Sequence, residues 1–500
     1  MAVGQWCVRL LCVRPLCVIV GAVLIFSPVK SLAALLVLVA AGLILTAALE
    51  LAHAAPGTPT APRVARLTAS VITGLLVLIW PGVTVFVISV LVGVLVVWSA
   101  IAEPAWLRVP PTRAAMVGLG VTVALVSVSE LMHAADVRPD GFYTPPAVAP
   151  ATPGVLVRSE PFHRTVPAGA HAWRILYTTT RDDRTAAVAS ALVLAADRPP
   201  PGPRPVLAWA HGATGIAREC APSLLDDSLT AVPGLDRVLA QGWVVVATDY
   251  VGLGTPGPHP FLIGQGGARS VLDSVRAARQ LSAVTLGGQT LVWGYSQGGN
   301  AALWTGILAP TYAPDAGVIG VATLAPGSNL TVLADNWGRG QGGVINAAYL
   351  IQAYSETYPD VDFGRYVRPT AAVQIHELAS RCLSDSRVYL SGISLLLFRQ
   401  SIWAKDPATG PVGERLRENT PTGPIPMPVL IAQGDADPVV TPSAQAEYVG
   451  QRCAGGGRVD YRTYPHRDHL SLVAAGSPVI SELLQWSRDR LDGRPARSTC

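Results

Sequence analysis

Residues 290–299 read Thr-Leu-Val-Trp-Gly-Tyr-Ser-Gln-Gly-Gly, an apolar run that leads into the pattern Gly-x-Ser-x-Gly. The run predicts a buried strand, and the small and apolar residues from Ala301 to Leu303 predict a helix directly after it. This order is typical of a nucleophile elbow, a strained turn that lifts a serine above the end of a sheet. The pattern also arises by chance in a Gly-rich chain, but the strand and helix around it favour the elbow. Ser296 is therefore the predicted nucleophile.

A serine hydroxyl is a poor nucleophile at neutral pH and needs a general base. Three histidines follow Ser296 in the sequence, namely His376, His466 and His469. The last two lie just past the last predicted strand, where this architecture places its base. His469 is favoured because it lies farther from the strand end and precedes a helical stretch. The pair His466 and His469 could instead bind a metal ion with Asp468, but no further ligand lies nearby, so no metal site is predicted.

An acid must hold the imidazole of the base in one tautomer. The strand predicted over residues 429–433 is followed by Asp435 and Asp437. Asp435 lies directly in the turn at Gly434, where a carboxylate often bonds its own backbone, whereas Asp437 lies one step beyond. Either carboxylate can face the base, and its position favours Asp437. Nucleophile, acid and base then follow one another along the chain in the order of α/β-hydrolases.

The oxyanion that forms during acyl transfer needs two backbone N–H donors. One is predicted to come from Gln297, directly after the nucleophile. The other is predicted to come from the loop after the strand at 205–210, from Gly212, Ala213 or Thr214.

A second glycine pattern, from Gly252 to Gly257, fits the G-x-G-x-x-G of dinucleotide sites. Such a site needs a helix that opens directly from the glycines, and Pro256, Pro258 and Pro260 forbid one here. No nucleotide or other cofactor is predicted, and the loop that contains Asp249 and Tyr250 is expected to border the mouth of the active site.

Short apolar runs alternate with helical stretches after residue 170, which predicts a doubly wound, mostly parallel sheet with an antiparallel edge made by its first two strands. The predicted strands are Ala172–Thr178, Ala187–Leu194, Pro205–Ala210, Trp243–Thr248, Thr290–Gly294, Val318–Leu324, Val429–Gln433 and Arg458–Tyr464. The interval 326–425 is far longer than an ordinary crossover and predicts an inserted, mainly helical cap. Its aromatic residues either line an apolar channel or fill the cap's own core.

Half of the 500 residues are hydrophobic and only 14% are charged, which argues against a disordered chain and against a wholly soluble one. Residues 1–135 are predicted to form a membrane domain with about five transmembrane helices. An internal repeat with an offset of 53 residues relates Gly21, Pro28 and Glu50 to Gly74, Pro81 and Glu103. The apolar segments are Leu16–Val29, Ser31–Leu51, Leu67–Trp80, Val83–Ala102 and Ala114–Met132.

The basic residues of this region indicate which side of the membrane each loop faces. Cytoplasmic loops collect Lys and Arg, and three Arg pairs fall on one side if all five segments cross the membrane. The N-terminus is then inside the cell and everything after about residue 135 is outside. A cleaved signal peptide in the first 30 residues is the alternative, but the later spans favour an uncleaved first helix. The proline-rich residues 136–161 predict a semi-rigid linker.

Several stretches together resemble the secretory lipase family of yeasts and actinomycetes. They are Glu219-Cys-Ala-Pro-Ser223, Asp249-Tyr250, Gly294-Tyr-Ser-Gln-Gly-Gly299, Asp437-Pro-Val-Val, Tyr448-Val-Gly-Gln-Arg-Cys453, and Tyr464-Pro with His469-Leu. The resemblance covers residues 154–500 and implies an α/β-hydrolase with an inserted cap that cleaves carboxylic esters of lipids. It implies Asp437 rather than Asp435 and His469 rather than His466. It also implies the disulfides Cys220–Cys382 and Cys453–Cys500.

The N-terminal third departs from the secreted members of that family, and residues 10–132 resemble the small HdeD-like membrane proteins. The sequence therefore predicts a membrane-anchored, extracytoplasmic serine hydrolase that acts on lipid esters without a cofactor. Two alternatives are an acyltransferase on cell-envelope lipids and a non-catalytic, lipid-binding membrane sensor or scaffold. The charge pattern shows no footprint of a nucleic-acid-binding protein.

Overall fold

The computed structural model describes residues 138–201, 204–225, 229, 231–339, 343–385, 388 and 401–500. The five apolar segments predicted within residues 1–135, and their internal repeat, lie outside the described residues. Over the described ranges, no helix combines the length and the apolar character needed to cross a bilayer.

A mixed sheet organises this part of the chain. Its strands are β1 (Leu156–Phe162), β2 (Ala170–Thr180), β3 (Ala186–Ala196), β4 (Val206–Ala210), β5 (Val244–Thr248), β6 (Thr290–Tyr295), β7 (Val318–Leu324), β8 (Val429–Gly434) and β9 (Val459–Tyr464). Their spatial order is β1-β2-β3-β5-β4-β6-β7-β8-β9, with antiparallel pairing from β1 through β3 to β5 and parallel pairing from β5 to β9. All eight predicted strands are present within a few residues of their predicted ends.

The prediction of a linker over residues 136–161 is wrong at two places, residues 141–143 and 156–161. Strand β1 adds a third antiparallel strand at the edge, and Phe142 and Tyr143 are buried in a short 3-10 helix. Arg174 of β2 holds this segment, because its guanidinium pairs with Asp140 and lies 4.3 Å from the ring centre of Phe142. The frequent prolines of this segment suggested a linker, but proline is compatible with an edge strand, where its nitrogen needs no hydrogen-bond partner.

Helices cover both faces of the sheet, as the strand–helix alternation predicts. The helices are α1 (Leu235–Ala240), α2 (Gly264–Ala278), α3 (Gln297–Tyr312), α4 (Leu330–Gly338), α5 (Val344–Thr357), α6 (Phe363–Tyr366), α7 (Pro369–Ala379), α8 (Gly410–Asn419), α9 (Pro442–Ala454) and α10 (Pro478–Leu491). On one face, α1 and α10 pack on apolar side chains that include Trp209 and Trp293, and on the other face α2 and α3 pack on Val246 and Val292.

The described part of the interval between β7 and β8 is mainly helical and contains α4 to α8. Trp337, Tyr349, Tyr354 and Trp403 are all at most 4% exposed. Their polar atoms bond backbone carbonyls, as when the indole of Trp403 donates to the carbonyl of Ala334 at 2.9 Å. Their burial favours a packing role over the lining of an open channel, and Trp337 and Tyr354 bond carbonyls outside the insertion, at Val439 and Leu262.

Two disulfides hold the peripheral segments. Cys220–Cys382 joins the loop region after β4 to the insertion, and Cys453–Cys500 joins the end of α9 to the C-terminal tail. These are the two pairs that the family resemblance implies. Next to the first bond, the N–H of Leu383 donates to the carbonyl of Thr214 at 2.8 Å, so the insertion also touches the predicted oxyanion loop.

Candidate active site

The turn between β6 and α3 has the geometry of a nucleophile elbow. Ser296 adopts φ 54° and ψ −117°, a conformation that L-residues rarely take and that surrounding contacts must hold. A Cβ on Gly294 would overlap the carbonyl of Gly298, and a Cβ on Gly298 would overlap the carbonyl of Ala210. Both glycines are therefore required because the backbones of β4, β6 and α3 meet without space between them.

Three predicted side chains from separate loops form one hydrogen-bonded chain. His469 Nε2 lies 2.9 Å from Ser296 Oγ, and His469 Nδ1 lies 2.7 Å from Asp437 Oδ2. The carboxylate accepts from Nδ1–H, which leaves Nε2 free to accept the serine proton. This is the connectivity of a Ser-His-Asp triad.

The two candidate acids have separate tasks. The Asp437 side chain is fully buried, and its Oδ1 accepts the N–H groups of Val439 and Val440 at 2.8 and 2.9 Å. These bonds fix the carboxylate while Oδ2 faces the imidazole. Asp435 is exposed, and its Oδ1 accepts the N–H of His466 at 2.6 Å. It therefore holds the loop that carries His469 without touching His469 itself.

The remaining histidine candidates lie away from Ser296. His376 of α7 stacks on Phe363 and contacts Gln352, and His466 is exposed. In the described part of the chain, no three His, Cys, Asp or Glu side chains come together in a way that could hold a metal ion.

Tyr295 supports His469, and the sequence analysis did not single it out. Its ring centre lies 5.0 Å from that of His469, and its hydroxyl donates to the carbonyl of His469 at 2.9 Å. Burial raises the pKa of this phenol far above its usual value, so it remains a neutral donor. The only sequence signal was its place directly before the nucleophile.

The predicted oxyanion donors lie near Ser296. Gln297 begins α3, and the first N–H groups of a helix have no acceptor within the helix. The loop after β4 reaches the same place, because a Cβ on Gly212 would lie 2.8 Å from the Tyr295 ring. Ala213 and Thr214 follow in that loop.

Comparison with known proteins agrees with this architecture. A sequence model of the secretory lipase family matches residues 230–499. The chain belongs to the secretory lipase family. A model of a short repeat of unknown function (DUF308) matches residues 16–65, within the region of the predicted internal repeat.

The curated relatives are lipases. Lipase 5 of Candida albicans is 27% identical over 307 residues, which cover 56% of this chain and 64% of that protein, slightly less than two thirds of its length. A secreted triacylglycerol lipase of Malassezia globosa is 28% identical over 360 residues, which cover 66% of this chain and 74% of that protein. The family model and the lipase relatives support the assignment of this chain as a carboxylic ester hydrolase.

Solved structures show the same fold. Candida antarctica lipase A in its closed state aligns with a TM-score of 0.59 at 21% identity, over 72% of this chain and 87% of that one. The rice cell wall degrading esterase LipA from Xanthomonas oryzae aligns with a TM-score of 0.57 at 20% identity, over 69% of this chain and all of that one.

The loop after β5 is buried rather than part of an open mouth. Asp249 and Tyr250 are at most 1% exposed, which corrects the expectation that they border the active-site entrance. Burial raises the pKa of Asp249, while Ser190 and Ser223 each donate a hydroxyl to it at 2.5 Å. The glycine pattern that starts at Gly252 forms turns, and the next helix, α2, begins only at Gly264.

The crowding at the elbow predicts a severe effect for Gly298→Ala. The added methyl group would overlap the β4 carbonyl, so either the elbow or the sheet must distort, and we expect a loss of several kcal/mol of stability together with activity. Gly450 of α9 is the matched control, because nothing lies within 4 Å of its Cβ position. Gly450→Ala should be neutral or stabilise by up to about 1 kcal/mol. The urea midpoint of each full-length variant measures this, and a Gly298→Ala protein as stable as wild type would contradict the packing described.

Two buried histidines should make the folded protein less stable as the pH is lowered. Burial lowers the pKa of His211 to about 4 and that of His259 to about 3, from an ordinary value of 6.5. Below pH 6.5 these two histidines bind protons in the unfolded chain but not in the folded chain. The free energy of unfolding that they contribute above pH 6.5 is therefore lost as the pH falls toward 4. Each histidine removes at most about 1.4 kcal/mol per pH unit in this window.

Urea midpoints between pH 7.5 and 4.5 test this expectation. His259→Gln should flatten the slope, because one such group is gone, while buried carboxylates such as Asp273, with a pKa raised by burial to about 6, titrate in both proteins. Equal slopes for the variant and the wild type would show that His259 is not held neutral in the fold.

Proposed function

We propose that this chain is a serine hydrolase that cleaves carboxylic esters of lipids through Ser296, His469 and Asp437. The observation that carries the proposal is the hydrogen-bonded chain from Ser296 Oγ through His469 to the buried carboxylate of Asp437. Each side chain comes from the carboxyl end of a parallel strand, β6, β8 or β9, so the sheet itself brings the three together.

The reaction follows from this arrangement. Ser296 Oγ attacks the acyl carbon while His469 Nε2 takes the serine proton, and Asp437 stabilises the resulting imidazolium. The N–H of Gln297 and a donor from Gly212, Ala213 or Thr214 bind the oxyanion. Collapse breaks the ester C–O bond, and the leaving alkoxide takes the proton from His469. Water then attacks the acyl-enzyme, gives a proton to His469, and the acid leaves as the serine regains its proton.

Lipid esters are the favoured substrate class because the relatives carry names such as secreted triacylglycerol lipase. The burial of the triad supports catalysis on esters in general. His469 is only 8% exposed, and the low dielectric of such a place strengthens the charge interactions of the transition state. Neither acyl transfer nor a purely binding role has an observation of its own that favours it.

An ester series on the full-length protein tests the function. We expect hydrolysis of p-nitrophenyl esters from acetate to palmitate and release of fatty acid from triacylglycerol emulsions, with no activity in Ser296→Ala. Free acid should be released without any added alcohol, because water is the acyl acceptor. If the acyl group appears only on an added alcohol and free acid is absent, the enzyme is an acyltransferase and the proposal fails.

The proposed location is the outer side of a membrane, with residues 1–135 as the anchor. The disulfides Cys220–Cys382 and Cys453–Cys500 favour an oxidising compartment, and the apolar segments of the N-terminal third favour membrane attachment. Reporter fusions after Asp140 should be active with an extracytoplasmic reporter, and carbonate washing should leave the full-length chain in the membrane pellet. A chain released by carbonate, or active only with a cytoplasmic reporter, would refute this location.

A further inference from the structure

His259 is a buried histidine beside the nucleophile that the triad does not use. It lies between β5 and α2 and is 2% exposed. Its Nδ1 lies 3.2 Å from the carbonyl oxygen of Val251, and its Nε2 lies 2.7 Å from the side-chain Nε2 of Gln297. The imidazole thus bridges the backbone of one loop and the residue that follows Ser296.

The partners of His259 fix its protonation. The amide nitrogen of Gln297 can only donate, so Nε2 of His259 must accept, and the ring proton must sit on Nδ1, where it donates to the carbonyl of Val251. Burial lowers the pKa of this imidazole to about 3, which agrees with a neutral ring at neutral pH. Both nitrogens are therefore occupied, and His259 is not a second general base.

The orientation of the Gln297 side chain depends on its bond to His259. Its side chain is buried, and its Oε1 has no hydrogen-bond partner among the described residues. The bond to His259 is therefore the polar contact that orients the side chain. The backbone N–H of the same residue is the proposed oxyanion donor. An anchored side chain restrains the Gln297 backbone at the start of α3, so loss of the anchor would allow that backbone, and with it the donor, to shift.

The insertion holds the segment that carries His259. The hydroxyl of Tyr354 in α5 donates to the carbonyl of Leu262 at 3.1 Å, and Phe261 packs edge-on against Tyr349 of the same helix at 5.7 Å. Leu262 has φ 55°, a strained value for a branched residue that such contacts must maintain. A connected path thus runs from the insertion through residues 258–263 to Gln297.

We propose that His259 is a positioning residue for the oxyanion hole, through which helix α5 of the insertion sets the orientation of Gln297. The inference rests on the proposed function, because it concerns the stabilisation of an oxyanion formed at Ser296. It assigns His259 and Tyr354 an effect on the rate of the chemical step rather than on substrate binding.

His259→Leu should lower kcat by about 10- to 100-fold, since small displacements of a catalytic donor have effects of this size. KM should stay within about twofold and the pH profile of kcat should not move, because His259 does not titrate in the assay range. His259→Gln, which can still present an acceptor to Gln297, should recover most of the rate. Tyr354→Phe should show a smaller kcat loss of the same kind, and the exposed His163→Leu should have no effect.

A double-mutant cycle distinguishes positioning from general destabilisation. Gln297→Met keeps the backbone N–H and removes the amide, so once it is present His259→Leu should cost little more. Additive losses, a change in KM without a change in kcat, or a shifted pH profile would each overturn the proposal. If His259→Leu does not fold, Tyr354→Phe, alone and combined with Gln297→Met, decides on the same criteria. Full activity of Ser296→Ala would instead refute the proposed function, whereas an inactive Ser296→Ala beside a normal His259→Leu would refute only this inference.

Discussion

Ser296→Ala is expected to lower kcat by about six orders of magnitude, the size of loss seen when a serine protease loses its nucleophile. The alanine removes the only atom that can form the acyl-enzyme, while the elbow, the imidazole and the oxyanion donors stay in place. KM should change little, because Oγ contributes mainly to the transition state. Initial rates with a p-nitrophenyl ester measure the loss.

Ser274→Ala is the matched control for this prediction. Ser274 is a buried serine of α2 whose hydroxyl donates to the carbonyl of Val271 at 2.8 Å, so its loss affects local packing without touching the reacting atoms. The control should keep kcat near wild type and lose at most about 1–2 kcal/mol of stability. Equal kcat losses in both variants would mean that Ser296 has no special role.

Asp437→Asn is expected to lower kcat by about four orders of magnitude. Asparagine can keep accepting the N–H groups of Val439 and Val440 through Oδ1, and it then presents an NH2 donor to His469 Nδ1. The imidazole must accept there and carry its proton on Nε2, where it can no longer take the proton of Ser296. Folding and substrate binding should be almost unchanged.

Asp435→Asn provides the comparison, since the two carboxylates are only two residues apart. Its Oδ1 can still accept the N–H of His466, so turnover should stay within about tenfold of wild type and any effect should fall on stability. Rates normalised to folded protein separate the two variants. An inactive Asp435→Asn beside a near-normal Asp437→Asn would mean that the acid has been assigned to the wrong residue.

The parts of the fold that obey local rules were predictable from sequence. The parallel strands are continuous apolar runs because both faces of the sheet are covered, and Gly294 and Gly298 reveal the elbow because no larger residue fits there. The interval 326–425 was recognised by its length alone. Strand β1 was missed, since its prolines and half-buried pattern do not distinguish an edge strand from a linker.

The parts of the site that depend on distant contacts were not predictable in this way. The local sequence pattern allowed either Asp435 or Asp437 to be the acid. The choice between them needs the position of His469, which follows a different strand. His259 lies 38 residues before Gln297, and no spacing rule connects them. The disulfide pairs came from the family resemblance, because four cysteines allow three pairings and sequence alone does not choose among them.

Covalent labelling by an alkyl fluorophosphonate tests the triad most directly, because a phosphonate on the nucleophile mimics the tetrahedral intermediate and requires the serine, the base and the oxyanion donors together. Intact mass and peptide mapping of the full-length protein should find one label per chain, on Ser296, with loss of ester hydrolysis in proportion to labelling. Labelling should be abolished in Ser296→Ala and greatly slowed in Asp437→Asn. Complete inactivation with the label on another residue, or undiminished hydrolysis by a chain labelled at Ser296, would contradict the account.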